Sequence, residues 1–301
     1  MARHPLGLVV LAVVLAVVPA VASPVAAFAD AGAGSPACPS LFAGGRAPVL
    51  INPKLAGRTV PLCFQGFAVL HSGLSRTPLY AAERLTRRSV AAARRVERAD
   101  AFHEEEALPE DDRARLSDYV RSGYDRGHLA PAGDMPSETA QAESFSLANI
   151  VPQNRSANRT LWAAIEESVR RLASERGEIF VVTGPVFEGG TVDAIRGRVL
   201  VPSQLFKAVY DPRTGAAGAY LAPNEAGGAW RTVSLATLRD IAGLDVFPDL
   251  SEEAKARAMA LPEPHEFSRG NRDQESFADF LRQLAYEGLR RLWRELLRAI
   301  F

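Results

Sequence analysis

Within GYDRGHLAPAGDM, residues 123–135, an acid, an arginine, a glycine and a histidine stand side by side as Asp125, Arg126, Gly127 and His128. An imidazole is neutral near pH 7 and can take a proton from water, while a guanidinium forks onto phosphate oxygens. These are two of the three things that phosphodiester hydrolysis needs: a base for water, and a cation for the charge that builds on the phosphoryl oxygens. The third, stabilisation of the departing oxygen, suits a divalent ion. Asn158 opens a helical pattern downstream, and its amide oxygen is a hard ligand of the kind Mg²⁺ takes. One neutral protein ligand leaves most of the octahedron to water and substrate, so such a site holds metal firmly only with phosphate present. Glu166 lies about 80° from Asn158 around a helix, placed to hydrogen-bond a water of the metal.

Positioning these groups is the work of the surrounding elements. The quoted stretch, with its proline, reads as neither a helix nor a buried strand. Arg126 and His128 are expected on opposite sides of an extended chain unless Gly127, which lacks a Cβ, turns it. Asp125 is expected to be structural, paired with Arg126 or a turn amide. Trp162, Ile165, Val169 and Leu172 recur at helical spacing, with Gly177 as the stop. LCFQGFAVLHSG alternates as a strand should, TPLYAAERLT reads as a strand or a short helix, and EIFVVTGPVF reads as a buried strand. VLVPSQLFKAVYDPRTGAAGAYLAPN reads as a hairpin folded at Asp211–Gly215. Residues 87–122 are charge-dense and read as a surface excursion. Strands and helices mix without βαβ alternation, which favours an α+β fold. Trp162 reads as core and His71 as a packing or hydrogen-bonding residue.

The chain has 301 residues, 47% of them apolar, enough for a full core. Residues 1–29 carry one charge, Arg3, then LGLVVLAVVLAVV and small residues. That is the layout of a signal peptide, and it predicts an exported protein, periplasmic or extracellular; an uncleaved membrane anchor is the alternative. The only cysteines are Cys38 and Cys63. They read as one disulfide in an oxidising compartment or as two buried thiols, and not as a zinc site. Formal charge sums to zero, so bulk charge does not advertise a nucleic-acid partner. Only Lys54, Lys207 and Lys255 are lysines among 35 basic residues. Residues 30–60, rich in Ala, Gly and Pro, read as an extended lead-in, 61–250 as the main domain and 251–301 as a helical extension. In that extension Phe280, Leu284, Trp293 and Leu296 form an apolar stripe. It reads as a helix packed on the domain or as a peripheral membrane or partner helix; a homodimer is left open.

DRGHLAPAGDM, LANIVPQNRSANRTLWAAIEE, VVTGPVF and FAVLHSGLSRTPLYAAERLT together resemble the DNA/RNA non-specific endonucleases, the ββα-metal family of the Serratia nuclease and endonuclease G. The resemblance covers roughly residues 60–250. It implies a central, mostly antiparallel sheet flanked by helices and an Mg²⁺-dependent endonuclease, with Mn²⁺ or another divalent ion as substitute, whose substrates are DNA and RNA and whose products end in 5′ phosphate. It places the catalytic histidine on His128, the phosphate-contacting arginine on Arg126, the metal-holding asparagine on Asn158 and the supporting glutamate on Glu166. Asn149 takes a supporting, substrate-side position, with Ala148 where the family has serine; capping a turn is its other reading. Arg98 is the best match to an upstream arginine that touches phosphate. Two other functions stay open: a catalytically idle nucleic-acid-binding module on this fold, and a phosphodiesterase acting on a small-molecule ester.

Overall fold

A computed structural model describes residues 38–189 and 191–265. The expectations for residues 1–29 and for the apolar stripe beyond 265 lie outside the described residues. Strand β1 (Val49–Leu50) precedes an antiparallel meander of β2 (Thr59–Cys63), β3 (Phe67–Ser72) and β4 (Thr77–Thr86), after which α1 (Arg87–Ala93) begins at a Thr86–Ser89 capping box. TPLYAAERLT is therefore strand throughout. An irregular stretch leads through the single turn α2 (Leu116–Tyr119) to β5 (Tyr124–His128); α3 (Glu138–Ser144) intervenes before β6 (Ile150–Asn154). One helical ribbon follows: α4 (Arg155–Ala157), a widened π-type turn over Asn158–Trp162, and α5 (Ala163–Arg176). Gly177 ends it at φ 92°, a conformation that costs glycine little.

The chain then runs through β7 (Glu178–Val186), the two-residue pair β8 (Ala194–Ile195) and β9 (Val199–Leu200), the hairpin β10 (Gln204–Asp211) and β11 (Ala216–Pro223), and β12 (Arg231–Val233). Helix α6 (Leu235–Ala242), β13 (Leu244–Asp245) and α7 (Glu252–Ala256) complete the regular elements. Seven strands form one antiparallel sheet in the order β12-β11-β10-β7-β4-β3-β2. Because side chains alternate along a strand, the sheet buries two different faces. Phe67, Val69, Ala81, Val181 and Val209 meet Ile165, Val169 and Leu172 of α5 on one side. Ala68, Leu70, Ala82, Val182 and Ala208 meet Phe42 and the α6 leucines Leu235 and Leu238 on the other.

Both ends of the described chain differ from expectation. Residues 38–60 are not an extended lead-in: Cys38, Phe42, Ala43 and Ala47 are buried, since the far face of the sheet needs apolar cover that α6 alone does not provide. Cys38 and Cys63 are joined as a disulfide, their Cα atoms 6.0 Å apart, which fastens this segment to the end of β2 and is worth about 3 kcal/mol in the chain-entropy account. Past α7, residues 257–265 are not helical, and the rest of the expected extension lies outside the described residues. The chain returns along β11, with Met259 N donating to Ala217 O at 2.7 Å and the Tyr220 hydroxyl to Pro262 O at 2.6 Å.

Candidate active site

Strands β5 and β6 stand apart from the large sheet as an antiparallel pair, with Tyr124 opposite Asn154 and His128 opposite Ile150. The stretch that reads as neither a helix nor a buried strand opens with a partly buried strand, Tyr124–His128, and Gly127 does not turn it. Residues two apart on a strand share a side, so Arg126 and His128 need no redirection. Glycine is required at 127 for a different reason: a Cβ there would run into the side chain of Gln153 on β6. The His128 ring packs against Phe102 and Phe145, with centroids 5.4 and 5.1 Å away. The Arg126 guanidinium carbon lies 4.0 Å from the centroid of the Phe102 ring, a cation–π contact. Burial, and then the positive charges of Arg98 and Arg126, drive the conjugate acid of His128 down to about 3. Its Nε2 is buried and has no partner among the described residues, so the ring is held as a neutral base.

Asn158 sits at the first residue of the widened turn, four positions after the end of β6. Its Nδ2 donates to Asp125 Oδ2 at 3.2 Å. A carboxylate only accepts, so this bond fixes which end of the amide faces the strand and leaves the oxygen for a cation. Asp125 does not pair with Arg126. It is forked by Arg159, Nε to Oδ2 at 2.7 Å and an Nη to Oδ1 at 2.9 Å, with Arg155 at 3.5 Å. Burial alone would raise the Asp125 carboxyl, but the hydrogen bonds from Arg159 and Asn158 outweigh it and hold it below the usual carboxylate range. Arg98, Arg126 and Asn158 open together onto one cleft of about 520 Å³, where Arg155 and Arg159 also line the wall. Asn149 is not on that wall. It is fully buried, accepting from Ala130 N at 2.9 Å and donating to Ala130 O and Ser144 O; every arm of the amide is spent clasping the chain just past His128, so it has none for substrate.

Glu166 lies on α5, half-buried. Burial pushes its carboxyl up to about 7, against the pull of Lys207 and Arg170. Beneath it runs a polar row that the sequence reading missed. Lys207 on β10 stands directly opposite Thr183 on β7 and donates to its hydroxyl at 2.6 Å. On β4, Glu83 is fully buried with neither oxygen partnered among the described residues; burial and the neighbouring Asp134 hold its carboxyl well above the ordinary range. Arg170 closes the row on Asp134 at 2.7 Å. The signal was available: Glu166 and Arg170 are four apart on one helix face, and Glu83 occupies an inward position of an alternating strand. Among the described residues no three His, Cys, Asp or Glu side chains gather as a metal site, so a cation here would lean on the Asn158 oxygen and on water. The outward amide suits that arrangement; His128 is not on the cleft wall, and its ring packs against Phe102, which is.

The family model for DNA/RNA non-specific endonuclease matches residues 49–253. The chain belongs to this family. The zebrafish (Danio rerio) protein named Nuclease EXOG, mitochondrial, is 34% identical over 200 residues, 59% of this chain and 58% of that one. Nuclease 1, mitochondrial, of Schizosaccharomyces pombe is 33% identical over 180 residues, 53% of this chain and 56% of that one. This family member thus spans somewhat more than half the length of these relatives. A crystal structure of the EndoG/EndoGI complex superposes with a TM-score of 0.58 at 24% identity, over 66% of this chain and 92% of that one. This likeness bears on fold, and it agrees with the α+β, antiparallel, helix-flanked architecture of a ββα-metal nuclease. The family works with a divalent metal. The expectation of an exported, periplasmic or extracellular protein is overturned by the relatives, which are mitochondrial by name. Neither a homodimer nor membrane contact finds support in these relatives.

Proposed function

We propose that this chain is an endonuclease that hydrolyses the phosphodiester bonds of DNA and RNA with little sequence preference, aided by Mg²⁺ held at Asn158. The observation that carries the reading is that β5 supports both halves of the chemistry: it bears the buried, neutral imidazole of His128, and through Asp125 it orients the Asn158 amide. His128 takes the proton from the attacking water. Arg126, fixed over Phe102, neutralises the non-bridging oxygens as the phosphorus becomes five-coordinate. When bound, the divalent ion supplies Lewis-acid stabilisation of the phosphoryl and departing oxygens. Glu166 orients water next to Asn158. Contacts directed to phosphate and sugar carry no base information, which accounts for weak sequence preference.

The test is digestion of plasmid DNA and of total RNA by the purified chain with and without chelator, beside His128→Ala. Both polymers should be cut only with divalent metal, and the variant should lose roughly 10²- to 10⁴-fold in rate while still retarding DNA in a gel. Binding without cutting by the parent chain would mark an idle binding module. Hydrolysis confined to a small ester would mark a different phosphodiesterase, and near-parental turnover by the variant would remove His128 from the mechanism.

A further inference from the structure

The cleft that gathers the arginines also has a side that phosphate chemistry does not call for. Leu116, Tyr119, Val120 and Tyr124 line it. Leu116 and Tyr119 are the first and last residues of α2, Val120 follows it in extended conformation, and Tyr124 opens β5. Val120 is 56% exposed and Leu116 36%, two of the five large apolar side chains exposed among the described residues. Tyr119 is only 7% exposed, and its hydroxyl has no hydrogen-bond partner among them. An apolar side set beside Arg126, which pairs with no carboxylate among the described residues, and beside Arg98, Arg155 and Arg159, which pair with Asp100 and Asp125 on the same cleft, is a poor match to phosphate or sugar alone. It is a good match to a flat group that is apolar on its faces, polar at its edge and tethered to an anion.

We propose that this side is a base subsite: it takes one unstacked nucleobase of the strand whose phosphate lies on Arg126. The inference rests on the nuclease reading above and sharpens its substrate class to an unpaired strand. In a duplex the faces of each base are already covered by stacking, and extruding a base costs a few kilocalories; in a single strand the face is free. The subsite is sequence-tolerant, because every base has a π-face, so it coexists with weak sequence preference. Charge complementarity selects this occupant: Arg126 on the same cleft pairs with no carboxylate among the described residues, and a nucleotide brings an anion to it together with the base.

The test uses matched single-stranded and duplex oligonucleotides and a single abasic residue walked along the single strand. The parent chain should cleave the single strand with a kcat/KM at least about tenfold above that of the duplex. An abasic residue at one position beside the cleaved phosphate should raise KM roughly 5- to 20-fold. In a Leu116→Ser/Val120→Ser variant of unchanged melting temperature, KM for the intact strand should rise by a similar factor and the abasic penalty should vanish; Val120→Ile should retain both. In chelator, a strand carrying 2-aminopurine at that position should change fluorescence on binding the parent chain and not the serine variant. Equal rates on single strand and duplex, no sensitive abasic position, or an abasic penalty unchanged by the serine variant would each overturn the subsite. If no intact polymer is cut at all, the nuclease reading fails instead, and the fluorescence measurement still decides whether a base is held.

Discussion

Asp125 touches neither a phosphate nor a reacting atom in the proposed mechanism, yet it decides the direction in which Asn158 presents its oxygen. Groups behind a metal ligand commonly govern affinity by 10- to 100-fold. Asp125→Ala should therefore raise the divalent-ion concentration for half-maximal cleavage by roughly 10- to 100-fold, with most of kcat recovered at saturating metal. A metal titration over plasmid cleavage checks this; an unchanged midpoint would mean that the ion does not depend on the Asn158 amide. At this scale the sequence was partly legible. The residue types that could take a proton, neutralise a phosphate and hold a hard cation stood out, and the structure brings Arg98, Arg126 and Asn158 onto one cleft. The Asp125–Arg159 fork did not stand out, because the partners are 34 residues apart and nothing local marks a pairing set by strand register.

The β5–β6 ribbon is the element on which the site depends, and its register is guarded at Gly127. Alanine there meets the buried side chain of Gln153, and overpacking between two strands has nowhere to relax. Gly127→Ala should destabilise the protein by about 1–3 kcal/mol, and Gln153→Ala should recover most of that loss, so that the two changes couple strongly in a double-mutant cycle. Urea denaturation of the four proteins measures the coupling; additive losses would show that glycine is needed for its backbone and not for clearance. The helix ending at Gly177, the hairpin turning at Asp211–Gly215 and β7 were readable, since period and turn chemistry are local; LCFQGFAVLHSG, read as one strand, is the end of β2, a turn and then β3. The β5–β6 ribbon was not readable. Its five residues include Asp, Arg, Gly and His, a composition that argues against a strand, and only pairing with the apolar Ile150 and Val151 makes it one.

Among the described residues, two buried histidines oppose the fully buried Glu83 and the half-buried Glu166 in acid. His71 is fully buried with its Nε2 at 3.0 Å from Asp112 O, and burial lowers its conjugate acid to about 4, as it lowers that of His128 to about 3. Below their unfolded value near 6.5 the unfolded chain binds protons that the native state refuses, so these histidines cost stability as pH falls from about 6.5 towards 4. Glu83 and Glu166 do the reverse. Their carboxyls are held above the unfolded value, Glu166 at about 7, so the native state keeps protons that the unfolded chain has released, and stability is gained as pH falls from 7 towards 4.5. Between about pH 5 and 6.5 the two pairs act in opposite directions, so metal-free stability should change less with pH than the histidines alone would make it. Glu83→Gln removes one carboxyl without removing the hydrogen-bonding shape. Its stability should then fall with falling pH across this window, by up to about 1.4 kcal/mol per pH unit. Urea midpoints in chelator at half-unit steps measure the slope. A variant with the same pH slope as its parent would show that Glu83 is ionised inside the protein, and that Lys207, rather than a proton, balances its charge.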